Sequence, residues 1–418
     1  MLSFRLILMN FLQFAIWGSW LISLGAYLGG TLSFSSIQIG SFFATMGIAA
    51  LFMPTLMGIV ADKWIPAERL ISICHILSGF LLLLAAQQVT YRPLYTYILL
   101  SVCFYMPTLG LTNSVAFGKL TEHGMDTVKS FPPIRIFGTI GFIVAMWIVD
   151  LAGFKTSNMQ LYVAAIFSFL LALYMLTFKA SPILKKESKE QSSWVQKLGL
   201  EAFSLFRVRS MAIFFVFCFL LGICLQITNS YANDYLTNYF GKIPEYADSF
   251  GVQHSGILIS LSQISEALCI LLIPFFLKRY GIKMVMMISF FAWFLRFGLL
   301  GAGNPGDGLW MLIISMVVYG VAFDFFNVSG ALYVDQNTPP ALRNSAQGVF
   351  LMMTNGLGSF LGPILASQVV EYYNGMGQYP KAWFVFAAYA LVIMIAFYFL
   401  FHEKKPSRAK VHVTDNTL

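Results

Sequence analysis

Charge is scarce in this chain of 418 residues. Asp, Glu, Lys and Arg together make up 11%, against about 25% in an ordinary soluble domain, and that scarcity excludes a conventional soluble enzyme. Cysteine is sparse as well. Cys74, Cys103, Cys218, Cys224 and Cys269 all lie in apolar runs without CxxC or Cys/His spacing. This excludes a disulfide framework and a metal site, and it leaves buried packing residues. No phosphate-binding glycine loop, serine triad or metal-ligand cluster is present, so ATP-driven transport and hydrolysis lack support and no cofactor is expected. Period-2 alternation is missing, which excludes membrane strands. The few histidines add little; His75 reads as a satisfied packing residue.

What is present is apolar: 58% hydrophobic residues, 16% aromatic, with 41 Phe and 20 Met. A spanning helix needs about 20 mostly apolar residues. Twelve runs meet that length: 4–29, 37–61, 68–89, 94–119, 132–153, 158–178, 209–233, 253–277, 283–303, 309–336, 341–369 and 379–402. The first is too long for a signal-peptide core and has no A-x-A site, so it is expected to stay as a transmembrane helix. The expected fold is an all-α polytopic membrane protein lying in a lipid bilayer.

One long polar interruption divides the runs six and six. It contains Lys179, Lys185, Lys186, Glu187, Lys189, Glu190, Lys197, Arg207 and Arg209. The expected organisation is a six-helix bundle over 1–178, a linker over 179–208, a second bundle over 209–402 and a polar tail over 403–418. With both termini inside, the outer side receives only Arg92, Lys155, Lys242 and Lys381, the asymmetry of the positive-inside rule. Arg135 and Arg296 fall within spans. The net charge of +8 sits at helix ends, so nucleic-acid binding is not expected. The one sizeable outer loop is expected at about 234–252.

Between the second and third spans the chain reads Gly58-Ile-Val-Ala-Asp62-Lys63-Trp64. The matching position of the second half reads Leu277-Lys278-Arg279-Tyr280-Gly281-Ile-Lys283. Glycine lets two helices approach, an acid can sit by a helix N-terminus, and basic residues fix a cytoplasmic end. Twelve spans, a central loop and this repeated motif resemble the major facilitator superfamily, with twelve transmembrane helices in two six-helix halves. Gly358-x-x-x-Gly362 and Gly138-x-x-Gly141 read as packing faces.

Polar residues inside spans are costly and usually face the bundle interior. Here they recur at helical spacing: Arg135, Thr139 and Phe142; Gln226 and Asn229; Gln263 and Glu266; Tyr319, Phe323 and Asn327, with Asp324 beside them. Residues three or four apart share a face. Glu266 can accept from two adjacent hydroxyls, the amides and Arg135 supply mixed donors and acceptors, and the rings supply flat surfaces. That set suits a neutral, ring-bearing polyol. It also has bland readings. Gln226, Asn229, Gln263 and Thr139 serve equally as interhelical hydrogen-bond partners, at about 0.6 kcal/mol each. Phe142 and Phe323 are core by default. Arg135 snorkels if its helix starts at Pro132-Pro133, and lies deeper if the helix starts near Asp126. Glu266 and Asp324 are too short to snorkel, and Arg296 is expected to pair with one of them or to reach the outer interface.

Several segments resemble the bacterial nucleoside–proton symporters of that superfamily. They are Phe11-Leu-Gln-Phe-Ala-Ile-Trp17-Gly-Ser-Trp20-Leu, Met106-Pro-Thr-Leu-Gly, Phe131-Pro-Pro-Ile-Arg135-Ile-Phe-Gly-Thr139-Ile-Gly-Phe142, Leu225-Gln-Ile-Thr-Asn229, Ser262-Gln263-Ile-Ser-Glu266 and Tyr319-Gly-Val-Ala-Phe323-Asp324-Phe-Phe-Asn327. The resemblance implies nucleoside import with a proton across a bacterial inner membrane, by a monomer with both termini cytoplasmic. It implies a nucleoside, such as uridine or adenosine, held by Arg135, Thr139, Phe142, Gln226, Asn229, Gln263, Glu266, Tyr319 and Phe323. The proton is expected on Asp324 or Glu266, with Arg296 as a modulating partner. A proton-coupled sugar permease uses the same groups and is the nearest alternative; a non-transporting receptor on the same fold is more distant.

Overall fold

The computed structural model describes residues 2–181, 200–338 and 343–402. Among these residues every regular element is helical. Ten helices are long and apolar enough to cross a membrane. Twelve crossings follow once two details are resolved. Leu2–Gly18 is short, but the chain continues in the same crossing through Leu24–Ala26 and the π-turn Tyr27–Thr31. Ser255–Ala302 is two crossings joined at Gly281, whose φ of 77° breaks the helix.

We number the crossings α1 (Leu2–Gly18 and its continuation), α2 (Ser36–Lys63), α3 (Ala67–Ala86), α4 (Tyr91–Glu122), α5 (Thr127–Leu151) and α6 (Met159–Leu176). The second half has α7 (Arg209–Asp234), α8 and α9 (the two arms of Ser255–Ala302), α10 (Leu309–Asn337), α11 (343–375, with a π-turn at Met352–Leu357) and α12 (Tyr379–Leu400). The architecture is the major facilitator fold.

Local chemistry sets several boundaries. Ser35 and Gln38 form a capping box at the start of α2: the Gln38 amide N–H donates to Ser35 Oγ, and the Ser35 N–H donates to Gln38 Oε1. Prolines sit inside α2, α4, α8 and α11, where neighbouring helices can satisfy the freed carbonyls. α5 starts at Thr127, ahead of its proline pair. Arg135 therefore lies eight residues in, ~12 Å along the axis, and the deeper of its two readings holds. The outer loop is shorter than expected. Asp234 is buried in the last turn of α7, and helix-like turns continue to Lys242.

Helices pack closely through backbone. Cβ atoms at Gly18 and Gly141 would run into the carbonyls of Phe142 and Phe11, which fixes the α1–α5 crossing. Gly358 lies against Gly222 of α7 and Gly362 against Ile223, as expected for a small-residue face. Gly58 is different: a Cβ there would meet nothing within 4 Å. In this conformation the motif glycine is not a point of close approach. Lys63, Lys278 and Arg279 are exposed at helix ends. The expected loop around them in the second half is reduced to the Gly281 kink. The side chain of Asp62, the linker over 182–199 and the tail over 403–418 lie outside the described residues.

The halves meet at one end only, the end away from the termini. Asn238 Nδ2 donates to the Ala26 carbonyl at 3.0 Å, Tyr231 to the Ser36 carbonyl at 2.9 Å, and the Ser36 N–H to Glu371 at 2.7 Å. Trp147 Nε1 donates to Ser260 Oγ at 2.9 Å. Among the described residues, every hydrogen bond from one half to the other lies at this end. α2 and α11 touch at Gly40 with Pro363, at Gly47 with Phe360 and at Leu51 with Gly356, and diverge beyond that; Gly58 and Gly348 face open space. The result is a cleft that opens toward the termini.

Candidate functional site

Helix register places the polar stripes of both halves along this cleft. On the N-terminal side α5 presents Arg135, whose guanidinium carbon lies 3.9 Å from the Phe14 ring centroid. Arg135 and Glu266 of α8 interact electrostatically across the cleft, and among the described residues neither has an ion-pair partner. Thr139 follows one turn on and is half-buried. Phe142, only 9% exposed, belongs to the main core, where α5 crosses α1.

The C-terminal half contributes rings, amides and acids. Tyr319 and Phe323 stack with centroids 5.7 Å apart and planes 10° off parallel. Gln226 donates to Ser359 Oγ at 2.7 Å. Its carbonyl oxygen and that of Gln263 are buried without a partner. Asn229 is half-buried, and its side chain makes no hydrogen bond among the described residues. Buried acceptors left unmatched are costly, so two of them beside one cleft mark a place where something else donates. Asp324 is 5% exposed, with Oδ2 unpartnered, and is within electrostatic reach of Glu266.

Arg296 departs from expectation. It pairs with neither acid and does not reach the outer interface. It is 1% exposed, and Nη1 donates to the Ser315 carbonyl at 2.6 Å and more weakly to Ser262 Oγ at 3.4 Å. Its guanidinium lies 4.7 Å from the Tyr319 centroid. A delocalised, weakly hydrated cation can be held this way by carbonyl and ring.

The stripes did not single out a polar network in the N-terminal half. Gln13 Nε2 donates to Thr108 Oγ1 at 2.8 Å, and Thr108 itself donates to the Tyr105 carbonyl. That fixes the amide: Gln13 Oε1 is the acceptor for Thr112 at 3.2 Å and for His75 Nε2 at 3.0 Å. The other ring nitrogen, Nδ1, lies 3.2 Å from Ser168 Oγ, and the Ser168 hydroxyl donates to the His75 carbonyl at 2.9 Å. This is the satisfied packing histidine expected above. Tyr105 donates to the Gln13 carbonyl at 2.8 Å, lies 5.6 Å from Trp17 and is within electrostatic reach of Arg135. The signal available in sequence was Gln13 and Trp17 at i, i+4.

A second cluster closes the far end. The Asp150 side chain, 1% exposed, accepts from His254 Nδ1 at 3.0 Å and from the Gly256 N–H at 3.1 Å. Lys155 Nζ is 3.8 Å from the same carboxylate and donates to the Val252 and Gln253 carbonyls. Burial holds the Lys155 ammonium below its usual range, against the pull of Asp150. One acid of α5 is thus tied to the start of α8.

Comparison with known proteins bears on this arrangement. The nucleoside H+ symporter family model matches residues 1–406. The chain is 51% identical over 406 residues to the nucleoside permease NupG of Escherichia coli K12, covering 96% of each chain. It is 46% identical over 419 residues to the xanthosine permease of the same organism, covering 98% of this chain and 100% of the relative. The crystal structure of the nucleoside transporter NupG superposes with a TM-score of 0.90 at 51% identity, covering 96% of this chain and 100% of that one.

Proposed function

The chain belongs to the nucleoside H+ symporter family, and we propose that it imports nucleosides with protons across a bacterial inner membrane, as a monomer. It is a transporter, not an enzyme. The segments 1–178 and 209–402 act as the two bodies of an alternating-access cycle, joined by 179–208. The Lys/Arg asymmetry supports cytoplasmic termini. With that orientation the cleft faces the cytoplasm and the sealed end faces outward.

The observation that carries the site is the electrostatic interaction of Arg135 with Glu266 across the cleft. Arg135 stands opposite Glu266 of the other half, with Thr139 one turn along α5 and unmatched amide oxygens and a ring stack in the C-terminal half. In this reading Glu266 accepts from the ribose hydroxyls. Arg135, Gln226, Asn229 and Gln263 complete the polar contacts. Phe323 and Tyr319 receive the base, and Phe142 backs the α5 side from the core. Asp324 carries the proton: its Oδ2 is buried with no donor, and a proton is the partner it lacks. Glu266, within electrostatic reach of Asp324, couples the proton site to the substrate site. One proton moving down 100 mV releases about 2.3 kcal/mol, which sustains tens-fold accumulation of a neutral solute.

Uptake of labelled uridine into vesicles tests this. An inward proton gradient should drive accumulation, and purine and pyrimidine nucleosides should compete for it. Nucleoside phosphates should compete far less, because they bring further negative charge to a site holding carboxylates. Accumulation indifferent to the gradient would sink the symport reading.

A further inference from the structure

We infer that Arg296 is a positioning residue for substrate recognition: from behind the site it holds the Tyr319–Phe323 stack and the Ser262–Glu266 turn of α8 in one arrangement. The inference rests on the nucleoside reading of the cleft.

Arg296 meets two of the elements that the reading uses on this side, α8 and α10. It donates to Ser315 and Ser262, and its guanidinium lies against Tyr319. Ser315 is one helical turn before Tyr319. Ser262 immediately precedes Gln263 and lies one turn from Glu266. The Ser315 hydroxyl returns a hydrogen bond to the Arg296 carbonyl at 2.9 Å, locking α9 to α10. Trp293, one turn earlier on α9, meets Tyr319 edge-on, with centroids 6.0 Å apart and planes at 87°. The Tyr319 ring is therefore held by a cation, a ring edge and the stacked Phe323. Exposure rises along this series, from fully buried Arg296 through buried Tyr319 to half-buried Phe323. Phe323 is its substrate-facing end.

The geometry separates this role from a proton-linked one. Among the described residues no carboxylate pairs with Arg296, and its charge meets a ring and a carbonyl. Lysine cannot replace it, because a point charge on a flexible stem cannot hold a carbonyl, a hydroxyl and a ring face together.

The test is uridine uptake and binding by variants of the full chain in proteoliposomes. Arg296→Lys should raise KM several-fold, up to ~10-fold, with the pH dependence of uptake unmoved. Tyr319→Leu should raise KM similarly, and Tyr319→Phe, which keeps the ring face that Arg296 meets, should raise it less than Tyr319→Leu. Adding Arg296→Lys to Tyr319→Leu should cost clearly less than Arg296→Lys costs alone, since the ring is already gone and only the Ser262 contact is left to lose. Additive losses, or an unchanged KM with a displaced pH profile, would overturn the inference. If Arg296→Lys does not fold, Ser262→Ala loosens the same guanidinium and should raise KM more modestly; no rise would count against the inference. Phe323→Leu separates the two levels. If it leaves nucleoside affinity unchanged, the nucleoside site itself is misplaced.

Discussion

Glu266 and Asp324 are one helix apart, within electrostatic reach of each other, yet their surroundings differ. Glu266 is half-buried and faces a cation across the cleft; Asp324 is buried with an oxygen that has no hydrogen-bond partner among the described residues. Substitution should therefore separate them. Glu266→Gln keeps the shape and removes the charge. It should weaken nucleoside binding by about 1.5–3 kcal/mol, the worth of a hydrogen bond to a charged group, and it should weaken 2′-deoxynucleosides less. Calorimetry with uridine and 2′-deoxyuridine reads the difference; equal losses would remove the ribose role. Asp324→Asn imitates a permanently protonated acid. The variant should still bind nucleoside and exchange it in counterflow, yet fail to accumulate it against a gradient. Accumulation by that variant under an imposed pH gradient would move the proton to Glu266.

At the scale of elements, spacing placed the polar residues of α5, α7, α8 and α10 on common faces, because residues three or four apart must share a side. It did not identify what closes the molecule. Asp150 reads in sequence as one acid near a helix end, and apart from Lys155 its partners lie more than a hundred residues away in α8 and the turn before it. No local pattern encodes such a contact. Arg296 shows the same limit, since an acid is the commonest partner for a buried cation and here the partners are a carbonyl and a ring. The Asp150 cluster makes a prediction of its own. Asp150→Ala leaves the Gly256 N–H and the His254 ring without their acceptor, which should ease separation of α5 from α8. Asn233 is buried beside this cluster. A cysteine at Asn233 should react roughly ten-fold faster with a small outside thiol reagent in the Asp150→Ala background, the expected size for losing a hydrogen bond to a charged group. Unchanged labelling would mean that the cluster does not hold the outer end shut.

The whole molecule is asymmetric along its axis: sealed by side chains and close backbone contacts at one end, splayed at the other. The direction is open to test in a cysteine-free background. Cysteine at Asp248 should react with an impermeant reagent in intact cells, and cysteine at His123 should react only after lysis; the reverse pattern would invert the topology. The number and order of crossings were legible in the sequence because membrane spans are long and uniformly apolar. Which end is closed was not, since both conformations of a two-body transporter satisfy the same pattern. Gly58 bears on the second conformation. A glycine inside a helix costs about 1 kcal/mol relative to alanine, and here its missing side chain relieves no crowding, because nothing lies within 4 Å of where a Cβ would be. The same helix uses Gly40 and Gly47 for close contact with α11 at the sealed end. The glycine at the open end makes sense if α2 closes against a neighbour there when the outer end separates. Gly58→Leu should then fold normally and bind nucleoside from the cleft side with unchanged affinity. It should lose most uptake, and counterflow should fall with it, because both need the cleft to close. Wild-type uptake by Gly58→Leu would show that closure brings no helix to this position.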